Sequence, residues 1–140
     1  MIKIRQYRKN DEKKLDPMEE TMAWHPDYKR IWKEVVRKEW TWTGLSSEGE
    51  VLAVGGIVPQ ENNAAFMWAQ IGKKRKTDII RIIRKGFEMF DDLNFDVWYC
   101  YIKDEFGKGC RMAEHLGFKK VKSVIKGYSL YENKRRSFYG

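Results

Sequence analysis

Four consecutive cations, Lys73, Lys74, Arg75 and Lys76, stand directly before Thr77 at the start of a predicted helix. Thr77 is a favourable N-cap residue. A helix N-terminus offers unpaired N–H groups and partial positive charge, which favour a phosphate or another anion. The segment is therefore a candidate anion site. A solvated basic loop before a capped helix and a contact with nucleic acid are the alternatives.

Three residues in or after a predicted central strand are candidates for proton transfer. Tyr101 lies in that strand, and Asp104 and Glu105 follow it. A catalytic acid or base must hold its ionisable group within hydrogen-bond reach of the reacting atom. The alternatives are a core tyrosine and two exposed loop acids.

Cysteine and metal chemistry find little support in the chain. A nucleophilic Cys100 would need a paired histidine, but His25 and His115 lie far from it in sequence and in no recognisable signature. The sequence contains no CxxC pair, P-loop or dinucleotide fingerprint. We expect two reduced thiols, Cys100 and Cys110, and no metal site.

Composition indicates one folded domain. The chain has 140 residues, of which 42% are hydrophobic and 14% aromatic, and a net charge of +8. This excludes a compositionally disordered chain and favours anionic partners. The longest apolar run, 51–58, is too short to span a bilayer, and the N-terminus lacks an apolar signal segment. We expect a cytoplasmic protein with no membrane contact.

Hydrophobic periodicity predicts the first half of the fold. A strand with Ile2 and Ile4 precedes a helical stretch that Pro17 breaks into two short turns. Asn10-Asp11 offers capping chemistry for the first of them. A helix beginning at 25–27 then carries an apolar stripe of Tyr28, Ile31, Trp32, Val35 and Val36. Three antiparallel strands follow, around 40–45, at 51–58 and at 64–71.

The second half is predicted to alternate helices with strands. A helix from Thr77 places Ile79, Ile80, Ile83, Phe87 and Phe90 on its core face. A central strand at 95–102, a loop around 106–109 and a short helix at 111–116 come next. Gly117 is a favourable C′ residue for that helix. Two strands, 118–125 and 128–131, close a single domain over residues 1–133, and 134–140 form a basic, flexible tail.

This order of elements resembles the GCN5-related N-acetyltransferase (GNAT) superfamily over nearly the whole chain. The segment 113–118, Ala-Glu-His-Leu-Gly-Phe, is similar to the superfamily's late helix-to-strand signature, and 72–90 takes the place of its pyrophosphate-binding segment. The resemblance implies an α/β (α+β) fold with one mixed, mostly antiparallel sheet of about six to seven strands and about four helices.

A narrower resemblance is to the acetyltransferase-like internal virion protein A of T7-type short-tailed bacteriophages. It depends on Gly55-Gly56, the basic loop-helix, the strand around Val97-Trp98, and Arg111 placed six residues before Gly117. It implies a role in virion assembly or host takeover through contacts with a phage structural or host protein. The protein would then act in the cytoplasm of the bacterial host.

The superfamily resemblance also implies a site for acetyl-coenzyme A. Members hold this cofactor where two neighbouring strands separate, here between 68–71 and 99–102. The residues implied are Ala69, Gln70, Ile71, Lys73, Lys74, Arg75, Lys76 and Thr77. This chain departs from the pattern because only Gly72 remains of the glycine-rich loop.

The catalytic groups of the superfamily are also missing. The strand 64–71 contains no ionisable residue where many members place a glutamate, and Ala113 stands where members often have a tyrosine. We therefore predict reduced or lost acetyl transfer. The alternatives are an active N-acetyltransferase acting on an amine of a protein or small molecule, and nonspecific nucleic-acid binding through Arg81, Arg84, Lys85 and the tail.

Overall fold

The computed structural model describes residues 2–16, 18–73 and 76–134. Its strands are β1 (Lys3–Gln6), β2 (Thr41–Leu45), β3 (Val51–Gln60), β4 (Ala64–Ile71), β5 (Val97–Lys103), β6 (Lys119–Ile125) and β7 (Tyr128–Asn133). Its α-helices are α1 (Glu19–Met22), α2 (Tyr28–Val35), α3 (Lys76–Asp91) and α4 (Gly107–His115). Single 3-10 turns span Asp11–Lys14 and Lys38–Trp40.

All seven strands form one sheet in the order β1-β2-β3-β4-β5-β7-β6. Only β4 and β5 pair in parallel, and every other neighbouring pair is antiparallel. The predicted mixed, mostly antiparallel sheet with about four helices is confirmed. The pair is parallel because α3 connects the two strands. It returns the chain to the end of the sheet at which β4 began, so β5 runs in the same direction as β4.

The two faces of the sheet bury different helices. Trp24, Trp68 and Val54 lie in the core beneath α2, and the predicted α2 stripe packs against them. On the other face Phe90, Trp98 and their neighbours form the core beneath α3 and α4. The predicted α3 stripe omitted Ile82, which is buried against Leu52 and Ala53.

Three local predictions need correction. The helix α3 begins at Lys76, so Thr77 lies inside its first turn and is not the N-cap residue. Residues 107–109, predicted as loop, are the first turn of α4. Asn10 adopts a left-handed conformation (φ 73°) and makes no side-chain capping bond.

Asp11 forms a buried polar network in place of the predicted cap. Its carboxylate accepts two hydrogen bonds from Arg5, at 2.7 and 3.1 Å, one from the Thr43 hydroxyl at 2.7 Å and one from the Arg8 N–H at 2.8 Å. Burial opposes ionisation of Asp11, but these donors outweigh it and lower the pKa to about 2. The network fixes β1 to β2.

No helix in the described part of the chain is long and apolar enough to cross a membrane. The break predicted at Pro17 separates a 3-10 turn from α1, although Pro17 itself lies outside the described residues. Residues 135–140 of the predicted tail also lie outside them.

Candidate functional site

The parallel strands β4 and β5 separate partway along their length. Their pairing ends at Phe66 and Tyr99, whereas β4 continues to Ile71 and β5 to Lys103. Each strand keeps its other neighbour, since β4 stays paired with β3 and β5 with β7. The gap, which we call the wedge, lies where the sequence predicted it, except that Tyr99 is still paired.

Backbone groups on the wedge side of β4 are only partly free. The Ile71 N–H donates to the Thr21 hydroxyl at 2.8 Å, and the Ile71 carbonyl accepts from the Met18 N–H at 2.8 Å. Backbone groups alternate sides along a strand. The N–H and carbonyl of Ala69, two residues earlier, therefore also point into the wedge, beyond the last pair with β5.

The first amides after β4 are also used within the protein. The Gly72 N–H donates to the Leu52 carbonyl at 2.8 Å, and the Lys73 N–H donates to the Asp16 carbonyl at 2.6 Å. Only residues 72–75 connect β4 to α3. The amides of 71, 72 and 73 therefore have partners that an incoming phosphate would have to displace.

The segment that contains α1 crosses the wide end of the wedge. On one side the Gln70 amide nitrogen donates to the Met22 carbonyl at 2.9 Å. On the other side the Tyr128 hydroxyl, at the start of β7, donates to the Ala23 carbonyl at 3.1 Å. Together with the Ile71 bonds, these contacts tie β4 and β7 together through residues 18–23.

His25 lies against the wedge, although no sequence motif points to it. Its ring packs edge-on against Tyr101 with the centroids 5.3 Å apart, and Tyr101 also packs against Phe66 at 5.6 Å. The His25 Nδ1 atom accepts from the Asp27 N–H at 3.0 Å. The Nδ1 lone pair is therefore engaged by this backbone N–H. The only feature of the sequence that singled out His25 was its position just before the start of α2.

A cavity of about 1080 Å³ opens from the wedge and extends beneath α3. Ala69, Ile71, Cys100 and Tyr101 line it on the wedge side. Burial raises the pKa of the Cys100 thiol to about 12, so this residue lines the cavity as a neutral, apolar group. Both cysteines are free thiols.

The predicted cofactor residues divide into three groups. Ala69 and Ile71 line the cavity, whereas the Gln70 side chain is 1% exposed and bonds to the α1 segment. Lys73 is exposed, and Lys76 and Thr77 belong to the first turn of α3. Lys74 and Arg75 lie outside the described residues.

The predicted catalytic residues also occupy different places. Tyr101 and Glu105 line the cavity. The Asp104 carboxylate accepts a hydrogen bond from the Ser129 hydroxyl and is therefore already partnered. The strand β4 carries no ionisable side chain, and Ala113 of α4 is buried in the core. Among the described residues no three His, Cys, Asp or Glu side chains gather where they could hold a metal ion.

Several solved N-acetyltransferase structures share this architecture. The ribosomal-protein-S18-alanine N-acetyltransferase from Escherichia coli superposes with a TM-score of 0.71 and 10% identity, covering 95% of this chain and 93% of that one. A GCN5-related N-acetyltransferase from Kribbella flavida gives a TM-score of 0.70 and 14% identity, covering 96% and 98%. The chain has the GNAT fold. A GNAT-family acetyltransferase from Staphylococcus aureus Mu50 agrees, with a TM-score of 0.69, 16% identity and 95% and 98% coverage.

These identities establish the fold alone. No protein-family model matches the chain, and no curated protein matches it by sequence. The narrower resemblance to the phage internal virion proteins stays a prediction.

Proposed function

We propose that this GNAT-fold protein binds an acyl thioester of coenzyme A in the wedge and transfers the acyl group slowly or not at all. The observation that carries the proposal is the unpaired backbone of Ala69 at the mouth of a large cavity. An N–H and a carbonyl presented together suit the amide groups of an extended arm. The apolar cavity walls favour the rest of that arm.

The nucleotide end of such a ligand fits less well. The amides of Ile71, Gly72 and Lys73 are engaged inside the protein, so a diphosphate would depend on side chains such as Lys73. A flexible ammonium group gives a less directional contact than fixed amides. We therefore expect weaker binding than in an enzyme whose loop amides are free.

Slow transfer is expected because β4 offers no base to the wedge. The β4 strand lacks a carboxylate, the His25 Nδ1 atom already accepts from the Asp27 N–H, and Asp104 already accepts from Ser129, whereas Glu105 lines the cavity beside the start of α4. General acid–base assistance is typically worth about 10²–10⁴-fold in rate. The β4 groups can position a thioester and exclude water from it, but none of them removes the proton from an amine.

Calorimetry with acetyl-coenzyme A tests the binding. We expect a measurable affinity that falls in Ala69→Phe, where the ring would fill the wedge, and falls less in Lys73→Glu. Val121→Ser, at the most exposed apolar side chain of the described residues, is the matched control and should bind like wild type. Absence of binding at millimolar ligand would refute the proposal. Mass spectrometry of a mixture of amines incubated with the protein and acetyl-coenzyme A measures how fast acetylated products form, and this rate distinguishes slow from efficient transfer.

The finer part of the proposal is a role in phage virion assembly or host takeover through protein contacts. The sequence resemblance supports it, and so does the exposed edge of the sheet at β6. There Lys119, Lys120, Val121 and Lys122 are exposed, so an acidic partner could approach both the backbone and the charges.

Co-sedimentation with virions of a T7-type phage tests this role. Reversing Lys119, Lys120 and Lys122 to glutamate should abolish association if β6 is the contact. Reversing the exposed Lys9, Lys14 and Lys33 makes the same charge change elsewhere and should leave association intact. If the two triple variants co-sediment with virions equally well, β6 is not the contact. If the wild-type protein does not co-sediment with virions, the virion role is refuted.

A further inference from the structure

The two ends of the cavity have different chemistry. Near the start of α4 it is lined by charged side chains, among them Lys103, Glu105, Lys108 and Arg111. Beneath α3 the described lining residues are all uncharged, among them Trp42, Gly55, Ala69, Ile82, Gly86 and Phe90. The cavity therefore suits a molecule with one polar and one apolar end.

Gly86 forms the roof of the apolar end. It lies within α3, at helical spacing from Ile82, Ile83 and Phe90, which face the sheet. A Cβ atom built on Gly86 would meet nothing within 4 Å. Glycine inside a helix is less stable than alanine because its unfolded backbone is freer. At this position the chain carries an unfavourable residue whose effect is to keep space open.

Gly55 and Ala69 form the floor of the same space. They are directly paired in the β3–β4 ladder, and a Cβ on Gly55 would lie 3.3 Å from the Ala69 Cβ. Trp42 pairs with Gly55 on its other side and packs against Phe90, with ring centroids 5.7 Å apart. The space is thus closed at Trp42 and opens into the wedge at Ala69.

The row from Ala69 to Trp42 crosses two strand spacings, or about 10 Å. An extended hydrocarbon chain advances about 1.3 Å per carbon, since the C–C bond is about 1.5 Å long and zigzags. The space therefore accepts about eight carbons in line. An acetyl group would leave most of it empty.

We propose that the apolar end of this cavity binds a medium-length acyl chain of about eight carbons, carried by the thioester that the wedge holds. This inference rests on the proposed function, because the chain must enter from the wedge. The physical reason is the burial of methylene groups, which is favourable in proportion to the apolar area removed from water. The uncharged walls offer nothing to a second polar group.

Calorimetry with coenzyme A, acetyl-coenzyme A and octanoyl-coenzyme A on the full chain tests the inference. Octanoyl-coenzyme A should bind wild type at least about fiftyfold more tightly than acetyl-coenzyme A, since each fully buried methylene adds about fourfold and partial burial suffices. Gly86→Leu fills the roof and should reduce the preference to a few-fold, leaving acetyl-coenzyme A affinity unchanged. Gly86→Ala improves the helix with little added volume and should keep the preference.

The outcomes separate the inference from the proposed function. Equal affinities of wild type for acetyl- and octanoyl-coenzyme A would overturn the acyl-chain site and leave thioester binding intact. A preference that survives in Gly86→Leu, with folding verified by circular dichroism, would also overturn it. If neither thioester binds, the proposed function fails and the inference fails with it. The chain-length comparison on wild type decides the matter even if Gly86→Leu does not fold.

Discussion

The β1–β2 end of the sheet and the β4–β5 junction use buried polar groups and volume differently. At the first, the Asp11 carboxylate is 1% exposed and has four hydrogen bonds. At the second, the Gln70 carbonyl oxygen and the indole N–H groups of Trp24 and Trp68 are buried without a partner among the described residues, and the Thr41 hydroxyl at the start of β2 is the fourth such group. The second region also contains the wedge and the space beneath Gly86.

This difference separates a region built for stability from the region in which we propose binding. Buried polar groups in native proteins nearly always have partners, so the few exceptions need a reason. Departures from good packing concentrate at functional sites because stability elsewhere compensates for them. The Asp11 network should therefore contribute strongly to stability, whereas filling the open region should cost little stability or even add some.

The largest effect is expected from Asp11→Ala. It leaves the Arg5 guanidinium, which is 24% exposed, and the buried Thr43 hydroxyl without their acceptor, so we expect a loss of about 3 kcal/mol, the lower end of the range for breaking a buried pair on one side. Urea unfolding measures the loss. Asp27→Asn is the matched control, because Asp27 and Arg30 form a pair that is 53% and 74% exposed and should contribute less than about 0.5 kcal/mol. Similar losses in both variants would contradict the comparison.

Gly56→Ala should be the next largest. A Cβ at Gly56 would collide with the Trp40 carbonyl oxygen and lie 3.2 Å from the Thr41 Cα, so the backbone of two strands must move. Overpacking of this kind costs about 1–3 kcal/mol, and we expect the upper half because the clash is with backbone. A thermal melt checks it. No change in Tm would show that β2 and β3 separate more easily than the close approach implies.

Acid should lower the free energy of unfolding through the Asp11 network by a somewhat smaller amount. The folded-state pKa of Asp11 is about 2, below the ordinary 3.8, so its stabilisation is complete above the ordinary value. As the pH falls from about 4 to about 2 the protein should lose about 2 kcal/mol through this group. Unfolding free energies of wild type and Asp11→Asn across this range measure it. The variant should show a shallower acid dependence, and identical slopes would contradict the assignment.

The smallest effect, of opposite sign, is expected at Gly86. Gly86→Ala should stabilise the ligand-free protein by about 0.5–1 kcal/mol, because helix propensity improves and the added methyl group meets nothing within 4 Å. Urea unfolding measures the gain. Gly56→Ala, the same substitution at a closely packed position, is the comparison and should lower the free energy of unfolding. A destabilised Gly86→Ala would show that α3 packs closely on the sheet, and the contrast between the two regions would disappear.

Much of the fold follows from local patterns. The β4 bounds at Ala64–Ile71 agree with the predicted strand, since turn residues flank a segment that is apolar except for Gln70. Gly117 has φ 93°, as expected of a C′ glycine after α4. Alternation and helical spacing determine which side of an element is apolar, and that limits how the elements can stack.

Local reasoning failed where a specific side-chain contact outweighs residue propensity. Residues 107–109 looked like a loop because glycine disfavours helices, yet the Phe106 ring packs where a Gly109 side chain would stand, and the Cys110 N–H donates to the Phe106 carbonyl at 3.1 Å. Asp11 looked like part of a cap, but Arg5 and Thr43 offer its carboxylate more hydrogen bonds. The first contact is local to α4, and the second joins β1 and β2.

The sequence by itself determined the order of the strands and helices along the chain and the absence of a carboxylate on β4, and the resemblance to the GNAT superfamily implied the gap between β4 and β5. Only the tertiary structure decided that Thr21 occupies the Ile71 amide, that His25 lies against Tyr101, and that Gly86 stands over Gly55 and Ala69. The reason is distance along the chain. Spacing within one element reveals its own faces, whereas these contacts join residues about 17 to 76 positions apart, whose meeting depends on how the whole sheet and its helices pack.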